Sequence, residues 1–138
     1  FVSRSKAPGA FDSRSNDSGE NNLFGTSTTD NNHFTITAAL HDTTSNPEAY
    51  VQNAKVVTMM NPMNYLGSPA ATNARFYRIR YGTADSNTSV AIPLIVGTRA
   101  QNLGYRVDMA TPFNVDHSGD YDLEELFNWM DNIVKNGR

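Results

Sequence analysis

Cysteine is missing altogether, so disulfide frameworks, thiolate nucleophiles and Cys-ligated zinc are excluded, while secreted, periplasmic and cytoplasmic locations all stay open. A basic excess is missing too. Lys and Arg number 11 against 14 Asp and Glu, for a net charge of −3. With no Lys/Arg block, the electrostatic footprint of nucleic acid or of an anionic membrane is absent, and neither is expected as a partner. Long hydrophobic runs are also absent: the longest, around Val90 to Val96, falls far short of a bilayer span. What is present is 138 residues, the size of one ordinary domain or of a piece of one. The chain opens at Phe1 with neither an initiator Met nor the basic-then-apolar pattern of a signal peptide, which reads as a processed or truncated product.

Two parts differ in character. Phe1 to about Asn32 is rich in Ser, Asn, Asp and Gly, with isolated apolar residues such as Phe11, Leu23 and Phe24. Such a stretch buries too little apolar surface to offset its ordering entropy, so it is expected to be irregular, either a flexible end or a binding loop docked on a larger body. His33 to Leu40 has strand-like Thr and Ile content but helical spacing, and a helix capped by Asp30 or Asn32 is expected. A second helix, capped by Ser45 or Asn46 with Pro47 in its first turn, should place Ala49, Tyr50, Asn53, Val57 and Met60 on one face. It should end before Pro62.

The later part carries clearer periodicity. Phe76 to Tyr81 alternates large apolar with basic residues and closes on Gly82, a strand signature followed by a turn. Thr88 or Ser89 then caps a helix with Ile92, Ile95, Val96 and Leu103 in one stripe and Gly104 as its stop. Tyr105 to Ala110 reads as a second strand. Leu123, Leu126, Phe127, Met130, Ile133 and Val134 fall at helical spacing in a last amphipathic helix capped by Asp120 or Asp122. The series is β-α-β-α, an α/β fold in which the two strands should be parallel neighbours with helices on their faces. A parallel pair needs more strands and cover on both faces, and further strands are therefore expected from another chain or from a segment preceding these residues. The division expected is a polar and helical lid-like segment over residues 1–70 and a β-α-β-α core over residues 71–138.

Ligands of an open parallel sheet bind beyond the carboxyl ends of its strands. The loop after the first strand holds Asp85, and the loop after the second holds His117. If the strands pair, these side chains can meet as the acid and the base of a nucleophilic triad. Asp85 also reads as a helix cap and His117 as a surface residue. Chain order favours the triad, because hydrolases of the α/β class run Ser, acid, His. No G-x-S-x-G occurs, and Ser68 and Ser118 lack its glycines and its strand-turn-helix context. Missing strands and a missing nucleophile have one explanation: this is the C-terminal part of an α/β-hydrolase whose serine lies upstream.

The segments KAPGAFD, SGENNLFG and MMNPMNYL, the loop RIRYGTAD and the run HSGDYDLEELFNW give the chain a likeness along nearly its whole length. It resembles the C-terminal part of the bacterial tannase family of α/β-hydrolase esterases. The resemblance implies Asp85 and His117 as triad acid and base, with the serine on the absent N-terminal part, which would be the partner as a separate chain or a missing segment. It implies an aromatic ester as the small-molecule substrate and no cofactor. Members that hydrolyse gallate esters hold the phenolic hydroxyls with a Lys, a Glu and a second Asp, and the matching motifs supply Lys6 and Glu20. The third position departs: Asn87 stands where gallate-specific relatives have Asp. Asn accepts a hydrogen bond without charge, so a hydroxycinnamate or protocatechuate is an alternative acyl group to gallate. The competing class is a non-catalytic binding module derived from a hydrolase, taking a polyphenol or saccharide.

Other candidates are weaker. His33 and His41 lack acidic partners at metal-ligand spacing and read as ordinary helix or surface histidines, so no metal site is expected. Asp116, Asp120 and Asp122 lack the pattern of a calcium loop and read as caps. Met59, Met60 and Met63 with Tyr65 read as core or lid packing, or as an apolar wall beside an aromatic ring. Trp129 reads as structural.

Overall fold

The computed structural model describes residues 12–44, 54–119 and 121–137. Lys6, the segment from Ser45 to Asn53 and Asp120 lie outside them, and with them the expected cap and first turn of the second helix. In chain order the elements are α1 (Gly19–Leu23), α2 (Ile36–Leu40), α3 (Ala54–Met60), a single 3-10 turn (Pro62–Asn64), β1 (Phe76–Arg80), α4 (Ala91–Asn102), β2 (Arg106–Ala110) and α5 (Leu123–Asn136).

Polar bonding rather than apolar burial orders the front segment. The expectation of an irregular stretch through Asn32 is corrected by α1, which a reciprocal capping pair builds. Ser18 Oγ accepts the Asn21 N–H at 3.1 Å, and Asn21 Oδ1 accepts the Ser18 N–H at 3.4 Å. Asn21 is fully buried, and its amide donates to Asp12 at 2.7 Å and to the Asn32 carbonyl at 3.1 Å. The helix expected from His33 forms only from Ile36, with Thr35 as its cap in place of Asp30 or Asn32. Thr35 Oγ1 accepts the Ala38 N–H at 3.2 Å. Asn32 instead lies before the helix and donates its amide to the Phe24 carbonyl at 2.9 Å, which folds the chain back over α1. The helix α3 ends before Pro62, as its sequence required.

The strands β1 and β2 pair in parallel with Ile79 opposite Met109 and Arg80 opposite Ala110, and no further strand joins them among the described residues. The twofold alternation of side chains sends the two faces to different helices. The helix α4 packs on both strands, and its Gly97 lies so close that a Cβ there would stand 2.8 Å from Met109 Sδ and 3.4 Å from Ile79 Cδ1. The register that gives Ile79 and Met109 to α4 turns Phe76, Arg78, Arg80 and Asp108 to the opposite face. There Arg80 pairs with Asp108 at 2.9 Å, and both Arg78 and Arg80 reach Asp122 at the start of α5. Trp129 and Ile133 of α5 line an open cleft together with Phe76 and Asp108 of that face.

Two expected caps behave differently. Val90, not Thr88 or Ser89, occupies the cap position of α4 and makes no side-chain cap bond, while Ser89 Oγ accepts the Ala91 N–H at 3.3 Å. Asp122 does hold the cap position of α5, but its carboxylate turns away to the two guanidinium groups and caps nothing. Two cations on one strand face would repel without it. Gly104, at φ +81, closes α4 as expected, in a conformation that favours glycine.

The hydrogen bond from Arg78, against a smaller opposing effect of burial, holds the Asp122 carboxyl below its usual 3.8. A lowered carboxyl pKa contributes stability that is present above 3.8 and is lost as the pH falls through the lowered value. Asp122→Asn is therefore expected to lower the melting temperature by several degrees at neutral pH. In a pH series of thermal melts, the gap from the wild type should close on the acid side as Asp122 takes up its proton.

Candidate active site

The parallel register delivers the two strands' carboxyl ends side by side, and the loops that follow stay zipped together. The Tyr81 N–H donates to the Ala110 carbonyl at 3.2 Å, Thr83 to Pro112 at 3.0 Å and Ala84 to Val115 at 2.9 Å. Thr83 Oγ1 accepts the Asn114 N–H at 2.8 Å. At the centre of this seam is Gly82, where a Cβ would lie 2.1 Å from the Val115 carbonyl oxygen, closer than any side chain allows. Tyr81 is buried beneath, its hydroxyl donating to the Thr88 carbonyl at 3.0 Å, which closes the loop between β1 and α4.

Asp85 and His117 meet on top of the seam, with Asp85 Oδ2 at 3.0 Å from His117 Nδ1. The carboxylate divides its work between its oxygens. Oδ1 accepts the Asn87 N–H at 2.7 Å and the Thr88 N–H at 2.9 Å, as a loop cap would, and Oδ2 is left for the imidazole. One side chain thus both closes its own loop, without capping α4, and faces the imidazole. Burial works against its charge, but the Thr88 N–H, His117 and the Asn87 N–H outweigh it and hold the carboxyl below the usual 3.8. Asp85 is therefore an ionised acceptor, which assigns a hydrogen to Nδ1, so that any lone pair the ring offers is on Nε2. Among the described residues Nε2 takes no hydrogen bond. The Asp85 side chain is 7% exposed and that of His117 is 58% exposed, so a buried carboxylate backs an accessible imidazole.

His117 opens on a cleft of about 490 Å³ bounded by Ile79, Tyr81, Ile92, Val96 and Ser118. A second cleft of about 450 Å³ lies beside it, with Ile92 and Val96 of α4 as a shared wall. Its other walls are Phe24, Phe34, Met60 and Met63, and Glu20 stands on its lining. Phe24 and Phe34 stack with their ring centroids 4.6 Å apart. Met60 and Met63 are thus cleft walls, whereas Met59 is an exposed side chain. Asn87 is exposed in the Asp85 loop.

Sequence reasoning missed two features. Gly82 gave no signal beyond a turn residue, because the carbonyl it accommodates comes from Val115 on the other loop. His33 is neither a surface nor a helix histidine: it is fully buried, with Nδ1 at 2.7 Å from Asp12 and Nε2 at 2.8 Å from Asp42. No group of side chains among the described residues is arranged to hold a metal ion, and no helix among them is long and apolar enough to cross a membrane.

Gly82→Ala is expected to destabilise the protein by about 2–3 kcal/mol in urea denaturation, because the clash is with backbone and cannot be relieved by a rotamer change. Gly119→Ala, where a Cβ meets nothing within 4 Å, should stay within about 0.5 kcal/mol of the parent.

Comparison with known proteins places this geometry. No protein-family profile and no curated protein matches the chain. Solved structures do. The tannase of Lactobacillus plantarum superposes with a TM-score of 0.79 at 41% identity over 88% of this chain and 25% of its own. A tannin acyl hydrolase in complex with ethyl gallate matches equally, at 41% identity and a TM-score of 0.79. The Fusobacterium nucleatum tannase matches with a TM-score of 0.78 at 43% identity over 94% of this chain and 28% of its own. The likeness read from the residues is therefore borne out in three dimensions: this chain resembles a portion of a tannase, spanning about a quarter of the length of the tannases it matches.

Proposed function

We propose that this chain is the C-terminal part of an α/β-hydrolase-fold serine esterase that cleaves esters of aromatic acids, gallic or hydroxycinnamic, with the nucleophilic serine on the upstream part. The observation that carries the reading is the 3.0 Å contact between Asp85 and His117 at the shared end of a parallel strand pair. Three further features agree with it. The 41–43% identity to tannases extends over most of the chain. The two-stranded sheet is too small to stand alone and accepts additional strands at its edge. Large apolar side chains of the described residues stand exposed, among them Leu94, Ile95, Phe127 and Val134, as on a body awaiting cover.

In this reading residues 71–138 carry the acid and base, and residues 1–70 carry the acyl-binding segment. His117 Nε2 takes the proton of the upstream serine as its oxygen attacks the ester carbonyl. The ring is then an imidazolium, stabilised by Asp85 through Nδ1–H, and it returns the proton to the departing alcohol. Water follows the same path in reverse to release the acid. The oxyanion would be held by backbone N–H groups of the upstream part, one of which ordinarily follows the nucleophile. The cleft beside Glu20 suits the acyl ring: aromatic and methionine walls take its faces, and the Glu20 carboxylate accepts from a phenolic hydroxyl. Lys6 would donate to the neighbouring hydroxyl. Asn87 offers a neutral acceptor in place of a carboxylate, which favours an acyl group with fewer hydroxyls.

Steady-state kinetics of the complete enzyme test both levels. Asp85→Asn is expected to lower kcat by about 10⁴-fold with little change in KM, because the neutral amide no longer fixes the tautomer or stabilises the imidazolium. An undiminished kcat would instead favour a binding module. Asn87→Asp should raise kcat/KM for ethyl gallate relative to a ferulate ester by about tenfold, the worth of one charge-assisted hydrogen bond. An unchanged ratio would remove Asn87 from the specificity argument.

A further inference from the structure

The Asp12–His33–Asp42 cluster takes no part in the reaction, yet it is the most completely bonded polar group described. The His33 side chain is 0% exposed and those of Asp12 and Asp42 are 3% and 7% exposed. Both ring nitrogens face carboxylate oxygens, at 2.7 Å and 2.8 Å. An ionised carboxylate only accepts, so the two contacts can both be hydrogen bonds only if the ring is an imidazolium donating from each nitrogen. Losing that proton would turn one ring lone pair against a buried carboxylate. Asp12, from the loop before α1, and Asp42, from the turn after α2, are the charged groups that face the ring. Among its neighbours, α2 carries no charged residue and Glu20 of α1 lines the cleft.

The same carboxylates tie down the wall of that cleft that carries Glu20, Phe24 and Phe34. Asp12 Oδ1 accepts from Asn21, the residue after Glu20, at 2.7 Å. Asp12 Oδ2 accepts the N–H groups of Phe34 at 2.8 Å and Thr35 at 2.6 Å, and the Thr35 hydroxyl at 2.8 Å. Asp42 holds the turn after α2 through Thr44. Phe24, three residues beyond Asn21, stacks on Phe34, so the aromatic wall of the cleft is held from both ends by one carboxylate whose charge His33 neutralises.

We propose that His33 is a positioning residue: an imidazolium locked between Asp12 and Asp42 that sets the spacing of the Glu20 cleft and so the fit of an aromatic acyl group. The acyl-fit half of this rests on the esterase reading above. The lock itself rests on the bonding geometry. Burial opposes the charge on His33, but the hydrogen bonds to Asp42 and Asp12 and then their fields outweigh it and raise the ring above the ordinary 6.5. Its contribution is therefore complete below 6.5 and is lost as the pH rises through the raised value. Asp42 is lowered by its bonds to Thr44 and His33. Asp12 is lowered by His33, Asn21 and Thr35 against the larger single effect of burial. Their contributions are present above 3.8 and are lost as the pH falls through the lowered values.

The test is a pair of readouts on the complete enzyme. Nitrogen-15 spectra of labelled histidine should show both His33 ring nitrogens protonated at pH 6.5, where an ordinary imidazole is half neutral. The wild type should show a rise of KM on the alkaline side, and His33→Gln should raise KM for an aromatic ester about tenfold, keep kcat within about twofold and abolish that pH dependence. A neutral His33 at that pH, or a fall in kcat at constant KM, would overturn the proposal. Asp42→Asn keeps the shape of the cluster and removes one charge, so it serves if His33→Gln does not fold. It should raise KM about threefold, and an unchanged KM would again overturn the proposal. If the complete enzyme cleaves no aromatic ester, the esterase reading and its acyl-fit consequence both fall, and the imidazole spectrum alone decides whether the lock exists.

Discussion

The approach of two loops at the carboxyl end of a parallel strand pair is the constraint on which the rest of this chain depends. A catalytic acid and base must be held within a few tenths of an ångström, and neither Asp85 nor His117 belongs to a regular element that could do so alone. The holding is done in layers. The β1–β2 register sets the loops side by side, Gly82 lets one backbone touch the other, and a ladder of main-chain bonds continues the sheet beyond its last strand residue. The side-chain contact then follows with little freedom left to lose. A carboxylate with one oxygen fixed by two backbone N–H groups presents the other at a set angle, which suits an orienting acid better than a freely rotating one.

The two halves of the chain are stabilised by different physics. Around the sheet, α4 covers an apolar face, and Asp108 and Asp122 neutralise the arginines of the other face. In the front segment the buried side chains include His33, Asn21 and Asn32, and order comes from saturating their hydrogen bonds. A fully satisfied polar network is rigid because each broken bond strands a buried partner. That rigidity is useful beside a cleft, where apolar walls alone would be free to close on themselves. The large apolar side chains left in the open, among them Leu94, Ile95, Phe127 and Val134, are the counterpart on the outer faces and mark where this body expects to be covered.

Legibility in the sequence followed the range of the forces involved. Both strands and α4 could be read because they pack on one another, and α5 could be read from its apolar stripe, although Phe127, Met130 and Val134 of that stripe stand exposed. Asp85 and His117 could be read because strand ends are where side chains converge, and chain order supplied the rest. The caps were less legible. Asp122 occupies a cap position by local rule but answers to Arg78 and Arg80, more than forty residues earlier in the chain. Asp12 and Asp42 lie 21 and 9 residues from His33, at no recognisable spacing, so nothing local announces the cluster. The front segment read as irregular because the rule applied to it counts apolar burial, whereas Ser18, Asn21 and Asp12 order it through hydrogen bonds.

If Asp85 and His117 serve a serine supplied from outside these residues, treating the complete gene product with a fluorophosphonate and mapping the label by mass spectrometry should find one phosphonylated serine, located upstream of Phe1 and protected by an aromatic ester. A complete gene product that takes no label, or takes it on Ser118 or another serine within residues 1–138, would contradict that reading.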